Sequence, residues 1–164
     1  EGLWVKPTLL KRQAGENLIE TRVFSAETAR NVRSMMRLVV SHPDGTGNFA
    51  EAPGYMVGGK TGTAEKVLRN GYNKKANLVN FVATFPVHDP RYVLAVMVDE
   101  PKGQKKSYGY ATGGWVAAPA VRRIVEQAAP LLGILPVDEK SPKIRQKLRV
   151  DLQIGEEKKT LATF

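Results

Sequence analysis

Cysteine is absent from the 164 residues, so the chain can hold no disulfide, no thiolate nucleophile and no Cys-based zinc site. Histidine occurs only at His42 and His88, too few imidazoles for a His-rich metal centre. No metal and no cofactor is expected. No run approaches the roughly 20 apolar residues of a membrane span. The longest apolar stretch, Ala128 to Leu135, is broken by Pro130 and Gly133. No charged leader followed by an apolar stretch opens the chain. It begins Glu1-Gly2-Leu3-Trp4 without an initiator methionine, and the expectation is a soluble piece of something longer. Acidic residues are scarce beside basic ones: 16 Asp+Glu against 25 Lys+Arg leave a formal net charge of +9.

That excess raises the question of nucleic acid, and its distribution answers it. Lys60, Lys66, Arg69, Lys74 and Lys75 form one group, and Lys102, Lys105 and Lys106 a second. Lys140, Lys143, Arg145, Lys147 and Arg149 form a third. Aromatic residues do not interleave with them as stacking platforms would. Solvated loops and a basic tail are expected, with no nucleic-acid partner. Hydrophobic residues at 42% and charged residues at 25% suit a globular domain and argue against disorder.

Short extended pieces are expected around Leu3–Leu10 and Leu18–Phe24. Ser25 is placed to cap a helix over about 26–41, with Ala29, Val32, Met35, Met36, Val39 and Val40 at helical spacing. Residues 43–54 hold glycines and prolines and read as loop. Tyr55-Met56-Val57 starts an extended piece running into Gly58-Gly59-Lys60-Thr61-Gly62-Thr63. Asn70-Gly71 is a good turn pair. Leu78–Phe85 and Tyr92–Val98 read as two strands of an antiparallel hairpin. The second is nearly continuous in apolar residues, so burial on both faces is expected. Residues 101–113 read as loop. Trp115, Ala118, Val121, Ile124, Val125 and Ala128 place a second helix over about 114–129, with Pro119 near its first turn. Residues 136–164 read as a basic tail with at most one short strand, at Val150–Ile154.

Two patterns share Lys60. Gly54 to Thr61 fits G-x-x-x-x-G-K-[ST], the phosphate-binding loop, and Val93–Val98 followed by Asp99-Glu100 resembles a Walker B strand. The surroundings oppose a nucleotide-binding module: Phe49 to Pro53 is a poor buried strand, and Thr61-Gly62-Thr63 starts a helix poorly. The second pattern is K-T-G at Lys60-Thr61-Gly62, continued by Thr63, a signature of serine acyl-transfer enzymes. A site that recognises a peptide C-terminus must bind a carboxylate, and Lys60 supplies a fixed cation. The hydroxyls of Thr61 and Thr63 can donate to the same anion. Gly62 lets a substrate backbone approach as an added strand. The backbone N–H of Thr63 suits an oxyanion hole.

The stretch Gly54 to Lys66 resembles the third active-site motif of class B penicillin-binding proteins, most of all the septal, FtsI-like cell-division transpeptidases. The resemblance continues through Val23–Thr28, Gly45-Thr46-Gly47, Asn77–Asp99 and Tyr110–Pro119, and covers about residues 1–135. It implies an α+β fold: a partial penicillin-binding-protein transpeptidase (serine β-lactamase-like) domain, with helices packed on an antiparallel five-stranded sheet. It implies cross-linking of peptidoglycan stem peptides ending in D-Ala-D-Ala through a serine acyl-enzyme, β-lactams as acylating mimics, and divisome membrane proteins as partners. It places the parent on the periplasmic side of the bacterial inner membrane. Lys60 and Thr63 are the implied catalytic residues, and Lys60, Thr61, Gly62 and Thr63 the substrate-binding ones.

One departure is large. None of Ser25, Ser34, Ser41, Ser107 and Ser141 starts S-x-x-K or S-x-N, the family's nucleophile–base and second polar motifs. Both would lie upstream of Glu1. The expectation is a piece of a transpeptidase that is inert alone and able to pair with copies of itself through exposed strand edges. A non-catalytic interaction domain is the remaining alternative. Asp99 and Glu100 are expected as surface carboxylates, His42 and His88 as exposed, and Trp4 and Trp115 as packing residues. Tyr110, Thr112 and Gly113 are expected near the cleft.

Overall fold

A computed structural model describes residues 1–13, 15–16, 18–68, 71–148, 150–154 and 157–162. Two short strands near the start, β1 (Leu3–Val5) and β2 (Glu20–Arg22), pair antiparallel. Helix α1 runs Ala26–Ser41. Ser25 caps it, its Oγ accepting the Thr28 N–H at 3.0 Å, which satisfies a donor that a helix start leaves free. The buried stripe of α1 is narrower and more polar than the apolar spacing implied. Val32 and Met35 stay largely exposed, while Ser34 and Arg37 are buried beside Ala29 and Val40.

The main sheet has three antiparallel strands in the order β3 (Gly58–Leu68), β4 (Gly71–Phe85) and β5 (Tyr92–Asp99). The resemblance implied five strands; among the described residues this sheet has three. Strand β4 begins seven residues before the expected Leu78, at Gly71. Arg69 and Asn70, which held half of the expected turn, lie outside the described residues. A bulge between Glu65 and Lys66 lets the long hairpin continue past Asn77.

Directly paired residues share a face of a sheet. Val79, Phe81, Ala83 and Phe85 of β4 are buried on the face that meets helix α2 (Gly113–Leu131). Along β5 the burial alternates: Tyr92, Leu94 and Val96 pack against that core, while Val93 and Met97 are 76% and 66% exposed. Burial of β5 on both faces is therefore corrected. Its apolar run covers a second face, where α1 comes against Gly58 of β3 but leaves Val93 and Met97 exposed.

Helix α2 buries Ala117, Ala118, Val121, Val125 and Ala129 on the sheet. Pro119 is its seventh residue, one position further in than a start at 114 placed it. From Pro136 on, the expected strand Val150–Ile154 is present, but the segment is more than a tail. It carries helix α3 (Pro142–Leu148) and a strand pair, β6 (Val150–Ile154) with β7 (Glu157–Ala162). Leu148 is 1% exposed and packs with Met56 and Val87, alongside Val137 and Ile144. Ile144 and Leu148 stand one helical turn apart, a stripe too sparse to notice among lysines.

Candidate active site

Lys60, Thr61, Gly62 and Thr63 lie in β3, opposite Val82, Phe81, Asn80 and Val79. Strand β3 ends the sheet order, so one of its edges is unpaired among the described residues. Thr61 and Thr63 share the face of Phe81 and Val79, toward α2. Lys60 and Gly62 share the open face of Val82 and Asn80. The Lys60 ammonium reaches back to Thr61, 2.8 Å from its carbonyl and 3.4 Å from its hydroxyl. Among the described residues no carboxylate lies within ion-pair distance of Lys60.

The Thr61 hydroxyl meets that of Thr46 at 3.2 Å. The Thr63 hydroxyl accepts the N–H of Gly113, the first residue of α2, at 3.3 Å. The positive end of a 19-residue helix therefore stands against the strand beside Lys60. Two glycines permit this approach. A Cβ on Gly113 would collide with the Asn80 carbonyl and come within 2.8 Å of the Gly62 carbonyl, and one on Gly114 would strike the Thr46 carbonyl. A Cβ on Gly62 would meet the Asn80 amide group at 2.5 Å. The structure thus brings together the four expected residues and adds Thr46 and Asn80. The Gly45-Thr46-Gly47 turn signals the first; nothing in the sequence marked Asn80.

A loop wall stands nearby. Trp115 on α2 packs against Phe49 (4.8 Å between ring centroids), Tyr108 (6.0 Å) and Tyr110 (6.3 Å). Phe49, Tyr110 and Trp115 border a cavity of about 650 Å³ lined also by Lys102, Lys106 and Arg123. Trp115 is a packing residue as expected; Trp4 is 50% exposed.

Arg37 was missed. It is 3% exposed and donates to the Val57 carbonyl at 2.8 Å, one residue before β3. Its guanidinium also pairs with Glu51 at 2.8 Å and Glu139 at 3.1 Å. Burial pushes the Glu51 carboxyl up from its usual range, against the lowering pull of Arg37. Arg37 lies off the apolar spacing of α1, on a buried stripe shared with Ala29, Ser34 and Val40 that the sequence did not mark.

The remaining candidates sort as follows. Asp99 and Glu100 pair with Lys66 at 2.7 and 2.8 Å, and these hydrogen bonds, Asp99 first, raise the Lys66 pKa. His42 is exposed, but His88 is half-buried, which corrects the expectation of an exposed ring. Burial, then the charge of Lys147, lowers the His88 pKa, and Asp89 opposes them. The phosphate-loop reading fails on geometry. Lys60 and Thr61 are paired residues in mid-strand, so no helix N-terminus follows them. Among the described residues there is no cluster suited to a metal ion.

Known proteins match this arrangement. The family model described as penicillin binding protein transpeptidase domain matches residues 1–126. The probable peptidoglycan D,D-transpeptidase FtsI of Caulobacter vibrioides is 43% identical over 135 residues, covering 77% of this chain and 23% of the relative. The transpeptidase domain of penicillin-binding protein 3 from Burkholderia pseudomallei superposes with a TM-score of 0.71 at 40% identity, over 84% of this chain and 40% of that one. Penicillin-binding protein 3 of Mycobacterium tuberculosis, solved with ampicillin, gives a TM-score of 0.64 at 30% identity, over 80% of this chain and 30% of that one. The chain therefore spans about a quarter of the curated relative. With a strand-borne K-T-G beside the start of a long helix, and a family match over residues 1–126, the chain belongs to the penicillin-binding protein transpeptidase domain family.

Proposed function

We propose that this chain is the K-T-G-bearing part of a serine D,D-transpeptidase that cross-links peptidoglycan stem peptides in septal wall synthesis. One observation carries the reading: Lys60–Thr63 lie on a strand with one edge unpaired among the described residues, against the first N–H of α2. A stem peptide lies along that edge as an added strand, its terminal carboxylate on Lys60 and the hydroxyls of Thr61 and Thr63. The nucleophile is a serine of an S-x-x-K motif contributed by sequence outside this chain. Its Oγ attacks the carbonyl of the penultimate D-alanine, and the Thr63 N–H helps hold the oxyanion. The peptide C–N bond breaks and the terminal D-alanine leaves with a proton. An amine of a second stem then takes the acyl group and releases the serine. β-Lactams acylate the same serine. The parent works on the periplasmic side of the inner membrane among divisome proteins, and this chain alone is inert.

The test is fluorescent-penicillin labelling of the full-length parent beside this chain. The parent is expected to label and the isolated chain not to. Lys60→Ala is expected to slow acylation of the parent roughly ten- to hundredfold, the worth of one charged hydrogen bond or a little more. Unchanged acylation removes the role of Lys60. A parent that never labels leaves a non-catalytic interaction domain.

A further inference from the structure

We infer that Glu139, acting through the buried Arg37, is a positioning residue for the strand that carries Lys60–Thr63; the inference rests on the transpeptidase reading above. The four residues before β3, Gly54 to Val57, are held at one end by the segment that follows α2 and at the other by Arg37 of α1, which Glu139 of that segment engages. At one end, Glu139 Oε1 accepts the Gly54 N–H at 2.6 Å, and the Val137 N–H donates to the Gly54 carbonyl at 2.9 Å. Gly54 has φ +84°, and a Cβ there would meet Pro136 Cβ at 2.7 Å. At the other end, Arg37 donates to the Val57 carbonyl while its second amino group pairs with Glu139 Oε2 at 3.1 Å. One carboxylate thus ties the backbone of Gly54 to the arginine that holds Val57.

The physical reason for such a tie is the edge of β3 that is unpaired among the described residues. A strand paired on one side only is held by its neighbour and by its entry point. Lys60 stands three residues beyond Val57, about 10 Å along the strand. A tilt at Val57 therefore shifts the ammonium and the Thr63 N–H together. Guanidinium suits this task, because its planar fork fixes the direction of each bond. The family model ends at residue 126, so Glu139 lies outside the matched region.

The experiment uses the full-length parent with Glu139→Gln, which removes the charge and keeps the shape. The binding and acylation steps with fluorescent penicillin are measured, with amide hydrogen exchange over residues 58–63 and the thermal midpoint. Glu139→Gln is expected to slow the acylation step about ten- to hundredfold, with less effect on binding and faster exchange at 58–63. Arg37→Lys, which keeps the charge without the fork, is expected to fall between. Glu126→Gln, which breaks the exposed Arg122–Glu126 pair on α2, is expected to change neither readout. Unchanged acylation by Glu139→Gln overturns the inference. So does exchange that rises equally in α2, since that marks general destabilisation. If the wild-type parent does not label, the transpeptidase reading fails by itself. Exchange at 58–63 then decides whether Glu139 holds the strand: faster exchange supports the tie and unchanged exchange overturns it.

Discussion

Gly113 stands where the backbones of β3, β4 and α2 come closest. A methyl there meets the carbonyls of Asn80 and Gly62, both backbone atoms that cannot step aside. Gly113→Ala is expected to cost about 1–3 kcal/mol, the usual range for overpacking, and to weaken penicillin acylation of the parent by moving α2 off Thr63. Urea denaturation checks the first and labelling the second; unchanged values for both would mean that the helix start is not packed on the strand. His88 gives a pH prediction. Its folded pKa lies below the ordinary 6.5, so the unfolded chain binds the proton more readily. Stability present above pH 6.5 is therefore lost as pH falls through the folded value. His88→Gln is expected to lose less stability than wild type between pH 7.5 and about 5.5, in urea midpoints at each pH. Equal losses would remove the argument.

At the scale of elements, the two long helices and the β4–β5 hairpin were legible. Each carries its own signal: a cap at Ser25, a 3.6-residue stripe in α2, a short turn between two apolar runs. After Pro136 only the strand at Val150–Ile154 was legible; helix α3 was not, because its few apolar residues reach partners far off in sequence. Leu148 packs on Met56 and Val87. Leu148→Ala is expected to cost about 2–5 kcal/mol, as for a buried leucine elsewhere. A thermal midpoint equal to wild type would restore the picture of a solvated tail. Strand β5 was misread for a related reason. An apolar run states which residues prefer burial and says nothing of whether a second layer exists to bury them.

The whole molecule presents a three-stranded sheet with one face covered by α2 and another that leaves Val82, Val93 and Met97 exposed. Unpaired edges beside such a face invite pairing with another copy. The isolated chain is expected to self-associate in sedimentation velocity as its concentration rises. The double change Val93→Lys and Met97→Lys is expected to return it toward monomer. Sedimentation unaffected by these charges would place any self-contact elsewhere.

By itself the sequence determined the family. Lys60-Thr61-Gly62-Thr63, the missing cysteines and the missing S-x-x-K are statements about residue types and short spacings, and these survive any tertiary arrangement. The capped helix and the hairpin belong with them, because the cap closes within three residues and the hairpin zips outward from one short turn. Only the tertiary structure decided that Gly113 and Thr46 meet the K-T-G strand, and that Arg37 is buried between Glu51 and Glu139. Arg37 and Glu139 stand 102 positions apart, and no local pattern encodes such a pair. Their contact follows from the free energy of burying a charge. That burial is tolerated only where the folded chain brings opposite charge to meet it.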